Sequence, residues 1–232
     1  MSKYCMWVLL AASFLFLSAC FATPSNQLSQ QQNNKRDNST VTEPQTRAQW
    51  KQIIQWPDAC DEGVSHISFS KHFKGFWVYP WSEGRRLVSV VCSAGTYNLG
   101  ETFYLETEKA SNQFTLLVFP QFISAGSAES MIAKVLSGQL GTAPYYQFQR
   151  PLVWGSILTD MSGYTITNEN RYRGAGGCGI LTSYQIVGGQ PQVASLRIKE
   201  DCTEAWLAPE LWPLIKKSDY ASWPLVILEE EE

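Results

Sequence analysis

The feature that most constrains the fold lies between residues 178 and 198. Cys178-Gly179-Ile180-Leu181-Thr182-Ser183-Tyr184-Gln185-Ile186-Val187 reads as a strand, and Val193-Ala194-Ser195-Leu196-Arg197-Ile198 reads as its partner. Between them stands Gly188-Gly189. Adjacent glycines supply the positive φ angles that a tight hairpin turn requires, so the two segments pair antiparallel. Similar short runs recur along the chain. Phe76-Trp77-Val78-Tyr79-Pro80-Trp81 is aromatic and extended, Arg86-Leu87-Val88-Ser89-Val90-Val91-Cys92 is β-branched, and Glu101-Thr102-Phe103-Tyr104-Leu105-Glu106 follows. Phe114-Thr115-Leu116-Leu117-Val118-Phe119-Pro120 reads as one further strand, Leu152-Val153-Trp154-Gly155 with Ser156-Ile157-Leu158 as a strand and its turn, and residues 164–173 as an alternating segment that breaks at glycines. A short amphipathic helix is expected over residues 47–55, ending at Trp56-Pro57 because the residue before proline disfavours helix. Short strands punctuated by Gly and Pro predict a mainly β fold, a β-rich α+β domain of antiparallel sheets with a few short helices.

The N-terminus addresses the chain to a compartment. Lys3 precedes an apolar run from Met6 to Phe16, and Leu17-Ser18-Ala19-Cys20 closes it. A positive n-region, an apolar core and small residues before the cleavage point make a secretory signal, too short to favour a membrane span. The four closing residues match the bacterial lipobox. By that resemblance cleavage precedes Cys20, and Cys20 carries the diacylglycerol thioether and its acyl (palmitate) chains. Two or three chains suffice to hold a protein at a bilayer, whereas one does not. The expected organisation is a signal peptide over 1–19, lipidated Cys20 and a flexible polar tether over 20–48, a single globular β-rich domain over 49–228, and an acidic tail over 229–232. After Phe21 the tether is almost free of large apolar groups, so it cannot offset its own ordering entropy. The expected address is a bacterial membrane, at the periplasmic face of an outer membrane where the host has one.

Cysteine usage agrees with export. Of six cysteines, Cys5 leaves with the signal and Cys20 takes the lipid, which leaves Cys60, Cys92, Cys178 and Cys202. An even number in an oxidising compartment predicts two disulfides. Three connectivities exist, and the sequential one, Cys60–Cys92 with Cys178–Cys202, is favoured because the two pairs sit in separate halves. A zinc site lacks support: there is no Cys-x-x-Cys, and the two histidines, His66 and His72, lie six apart. The net charge of −3, with basic residues scattered, argues against nucleic acid as a partner.

Several pieces resemble one family. Tyr172-Arg173-Gly174-Ala175-Gly176-Gly177-Cys178-Gly179 resembles the Arg-Gly-x-Gly-Asp-Cys-Gly signature of domain of unknown function 1176, a family of bacterial envelope proteins. Trp56-Pro57-Asp58-Ala59-Cys60 resembles its opening cysteine segment, Cys92-Ser93-Ala94-Gly95-Thr96-Tyr97 its Cys-x-x-Gly-Ala-Tyr motif, and Cys202 with Leu211-Trp212-Pro213 its close. Together these cover about residues 50–215. Gly177 stands where the family often has Asp. The resemblance implies an exported, cysteine-paired domain and no known activity.

Chemistry is sparsely marked. Gly174-Ala175-Gly176-Gly177-Cys178-Gly179 matches Gly-x-Gly-x-x-Gly, but a dinucleotide site needs a helix after the glycines, and here a strand pattern follows. A tight turn beside Cys178 is the better reading, and no cofactor is expected. No Gly-x-Ser-x-Gly elbow adjoins a histidine. Glu106 and Glu108 read as a solvated strand end rather than a glycosidase pair. Nine Trp and ten Tyr are the better hint. Many belong in the core, while Trp77, Tyr79 and Trp81, or Tyr145 and Tyr146, can form a stacking surface. Arg171 and Arg173, two apart on a strand, share a face that can clamp an anion. Candidate binding residues are therefore Arg171, Arg173, Trp77 and Tyr79, with no catalytic or metal-ligating residue expected. The reading favours a non-catalytic envelope module, in one form an inhibitor of an attacking hydrolase, whose partner is an envelope protein or glycan. A cell-wall or glycan hydrolase with paired carboxylates and a structural assembly factor are the alternatives. Replacing Cys20 by alanine is expected to accumulate unprocessed precursor. Normal processing and unchanged detergent partitioning of that variant contradict lipidation.

Overall fold

The computed structural model describes residues 43–70, 72–95, 98–124, 143–172, 177–203 and 206–226. Cys20, Arg173, most of the expected tether and the acidic tail lie outside the described residues. All the elements below belong to one unit, Glu43–Glu232.

The N-terminal helices form a cap. Helix α1, Arg47–Ile54, begins with a capping box in which Thr46 and Gln49 satisfy each other's backbone N–H groups. The Pro44 carbonyl accepts from the indole of fully buried Trp50, so ordered structure starts before residue 49. Gln55 ends α1 in the left-handed region, and after Trp56-Pro57 the short helix α2, Asp58–Glu62, presents Cys60 inward. Cap and sheet are joined by the Cys60–Cys92 disulfide.

Strands β1 (Phe76–Pro80), β2 (Arg86–Ala94) and β3 (Leu99–Glu106) form an antiparallel meander. Side chains alternate between faces. Val88, Val90, Cys92 and Tyr104 pack under Trp50, Trp56 and Cys60 of the cap. Leu87, Phe103 and Leu105 enter the main core on the other face. Both faces of β2 are thus buried, which explains its near-continuous apolar run.

Residues 114–120 do not make one strand. β4 (Phe114–Leu116) pairs with the far end of β3, and the chain then crosses into a second sheet as β5 (Phe119–Ser124). Leu117 and Phe119 are both fully buried at the crossing. Pro120 is tolerated because β5 is an edge strand. Its partner is β6 (Tyr145–Arg150), a strand beyond those the sequence pattern marks, and β12 (Leu225–Val226) completes this sheet parallel to β6.

The second half of the large sheet runs through β7 (Val153–Asp160), β8 (Thr165–Arg171), β9 (Gly179–Val187), β10 (Gln190–Lys199) and β11 (Leu214–Ile215). The expected turn at Ser156-Ile157-Leu158 is instead the continuation of β7. Gly155 bends that strand at φ 138°, so that one part pairs with β3 and the rest with β8. A Cβ there would lie 2.3 Å from the Glu169 carbonyl oxygen. The hairpin turn falls at Gly188 and Gly189, both at positive φ. Cys178 and Cys202, at the neighbouring ends of β9 and β10, form the second disulfide. A third short helix, α3 (Lys217–Tyr220), packs its Tyr220 against Phe122.

The large sheet curls. Leu87 and Phe103 of the first meander share one core with Ile166 of β8 and Tyr184 of β9, and Phe119 wedges between Phe103 and Tyr184. The architecture is mainly β, with antiparallel sheets, short helices and two disulfides. No helix among the described residues is long and apolar enough to cross a membrane. Peptide mapping without reductant is expected to recover Cys60 linked to Cys92 and Cys178 linked to Cys202. Crossed pairs or free thiols at these four positions contradict the fold.

Candidate functional site

Strand register determines what faces the inside of the curl. Trp77 lies opposite Ser89, Ser89 opposite Phe103, and Val91 opposite Glu101, so all share the face of the main core. Glu101 lies opposite Val153 on β7, and Ile157, which packs on that core, lies opposite Asn168. The inward positions therefore bring Tyr79, Ser89, Glu101, Thr159 and Asn168 to one wall. The curl is tight enough for the Tyr79 hydroxyl to feel Thr159, from 80 residues along the chain, together with Ser89 and Glu101.

The wall is under-satisfied. Among the described residues, buried Asn168 Oδ1 meets no hydrogen-bond partner, and Ser89 Oγ and Thr159 Oγ1, also buried, lean on Glu101 and Tyr79 without forming a well-made hydrogen bond. Leaving such an atom unpaired costs about 1–3 kcal/mol. Glu101 is 7 % exposed and belongs to no ion pair among the described residues. Burial pushes its carboxyl up to about 7, and the neighbouring Ser89 hydroxyl opposes only part of that shift. Burial also raises the Tyr79 phenol, which stays a neutral donor.

Glu106 shows the opposite solution and corrects the expected solvated strand end. It is fully buried, and Arg86, adjacent across the β2–β3 ladder, grips it with Nε at 3.1 Å and Nη2 at 2.5 Å. Burial alone would raise its carboxyl, but Arg86 and the Asn112 backbone N–H hold it below the usual range. Glu106 faces the cap side of β3, and Glu108 is exposed. Glu101 is the one carboxylate at the inward positions of β1, β2, β3, β7 and β8 among the described residues. No group of three or more His, Cys, Asp or Glu there is placed to hold a metal ion.

The residues singled out in the sequence fall in different places. Trp77 and Tyr79 are half-buried on β1, the outer strand of the sheet, and point to the inner wall, with Trp77 also packed on Phe73 at 5.9 Å. Trp81 is 3 % exposed and Tyr146 fully buried, so neither belongs to a stacking surface; Tyr145 stacks on Trp223 at 4.5 Å. Arg171 lies on the opposite face of β8 from Asn168, and its Nε is paired with Glu169 at 2.5 Å. The structure thus joins Trp77 and Tyr79 to Ser89, Glu101, Thr159 and Asn168, and leaves Arg171 apart. The four added residues escaped sequence reasoning. The one available sign was Ser89, a polar residue inside the apolar run of β2.

The two buried acids give opposite pH signatures. Glu101 is raised in the folded state, so its favourable contribution is complete below pH 4.5 and is lost as pH rises through about 7. Glu101→Gln is expected to gain about 3 kcal/mol relative to wild type between pH 4.5 and pH 8 in denaturant titrations. Glu106 is lowered, so its contribution is present above the ordinary carboxyl range and lost as pH falls through its folded value. Glu106→Gln is expected to lose stability at neutral pH. A pH-independent Glu101→Gln difference contradicts the assignment. No family model, curated protein or solved structure matches this chain.

Proposed function

We propose that this protein is a non-catalytic binding module, tethered to a bacterial membrane through lipidated Cys20, which takes its ligand on the inner wall at Tyr79. The observation that carries this reading is the set of buried, poorly satisfied oxygens of Ser89, Thr159 and Asn168 beside the half-buried rings of Trp77 and Tyr79. Buried polar atoms normally find good partners, and a wall with poorly satisfied oxygens offers them to the polar groups of a ligand. Aromatic faces next to convergent polar groups are the usual make-up of a ligand site.

Export is supported by the signal pattern and by two disulfides, which persist in oxidising compartments. Kinship to the domain of unknown function 1176 family rests on the cysteine-centred motifs. A glycosidase reading needs two carboxyl groups about 5–9.5 Å apart. Among the described residues the inner wall offers Glu101 alone, which favours binding over hydrolysis.

The test uses the mature chain, immobilised and exposed to soluble envelope glycan and peptide fragments. Wild type is expected to retain a fragment that Trp77→Ala loses about tenfold, the usual loss for an aromatic anchor. Glu108→Gln, on the exposed turn, is expected to retain it fully. Equal retention by Trp77→Ala, or turnover of peptidoglycan by the purified protein, contradicts the proposal.

A further inference from the structure

Among the described residues, acids placed in or near the core are matched to cations, with one exception. Asp61 is held by Arg47 at 2.8 Å and by Lys51 at 2.5 Å. Glu106 is held by Arg86. Glu101, buried like Glu106, has no such partner among the described residues. The groups facing it are Ser89 and Val91 of β2, Tyr79 of β1, and Val153 of β7, with Thr159 of β7 beyond Tyr79 and Asn168 of β8 over Gly155. None carries a charge, and Tyr79 is the one titratable group.

We propose, building on the inner-wall reading above, that this wall binds an organic cation, an ammonium or guanidinium group, with Glu101 as its counter-ion. The donor–acceptor count favours a cation over other ligands. An ammonium carries only donors, and the wall presents the Glu101 carboxylate, the unfilled acceptor Asn168 Oδ1 and the remaining lone pairs of the Ser89 and Thr159 hydroxyls. An anion would meet Glu101 and no compensating base. A neutral polyol would pair the hydroxyls but leave the carboxyl without a counter-charge. Trp77 and Tyr79, at the outer strand, add ring faces that attract a cation. The upward shift to about 7 that burial imposes on the Glu101 carboxyl is opposed when an opposite charge arrives and favours the carboxylate.

The source of the cation, a free amine or the side chain of a partner protein, is separated by the choice of probe. Mature full-length protein with ¹³C-labelled glutamate is titrated with n-butylammonium, with Nα-acetyl-lysine methylamide, and with butyrate and chitotriose as controls. Both cations are expected to shift Glu101 and the Trp77 indole, and to bind about tenfold more weakly at pH 6 than at pH 8, because the site is then mostly protonated. At tenfold saturating probe the Glu101 titration is expected to fall from about 7 to about 6. Tighter binding of the lysine derivative supports a protein side chain, and equal binding supports a free amine. Glu101→Gln keeps the side-chain shape and is expected to abolish cation binding while the amide spectrum stays dispersed; Ser89→Ala is expected to weaken it. If chitotriose moves Trp77 and the cations do not, the inner wall stands as a binding site and the cation assignment falls. If Glu101→Gln still binds butylammonium, the counter-ion assignment falls. If none of the four probes moves an inner-wall resonance, this inference and the binding-module reading fall together.

Discussion

Strand β3 is the element on which the rest of the structure depends. One edge pairs with β2 along its length, while the other is divided between β4 and β7. Its faces are divided too: Tyr104 and Glu106 look toward the helical cap, and Glu101, Phe103 and Leu105 look toward the main core. A strand shared in this way joins the two antiparallel meanders into one sheet. The bend at Gly155 then turns the second meander across the inner face of the first. Without that curl, Tyr79 of β1 would have no reason to meet Thr159 of β7.

The same geometry creates the chemical contrast between the two buried acids of β3. They lie five residues apart and point to opposite faces. On the cap side Arg86 reaches Glu106 from the adjacent strand and packs its guanidinium over Trp50 and Phe114. On the core side no basic residue stands at an inward position of β1, β2, β3, β7 or β8. A buried carboxyl without a cation is destabilised in its charged form, which is why burial pushes the Glu101 carboxyl up while Glu106 is held down.

The sequence made the fold class legible because strand identity is local. The Gly188-Gly189 hairpin and the aromatic run of β1 carry their own signals, and the cysteine spacing favoured the pairing that the structure contains. What failed was long-range. Residues 114–120 look like one strand because the crossing between sheets is made by apolar residues that are buried on both sides of it. Gly155 looks like a turn because nothing local distinguishes a turn from a bend that lets a strand change partners. Glu106 looks solvated until Arg86 is placed beside it. The inner wall was half legible: Trp77 and Tyr79 stand out by aromaticity, but Ser89, Glu101, Thr159 and Asn168 come from four strands and meet only once the sheet curls.

The inner wall depends on that curl, and one contact tests it directly. In the full chain, a nuclear Overhauser contact is predicted between the ring protons of Tyr79 and the methyl group of Thr159. A spectrum in which Tyr79 sees its β1 and β2 neighbours and Thr159 sees only β8 would contradict the account, because the inner wall would then not exist.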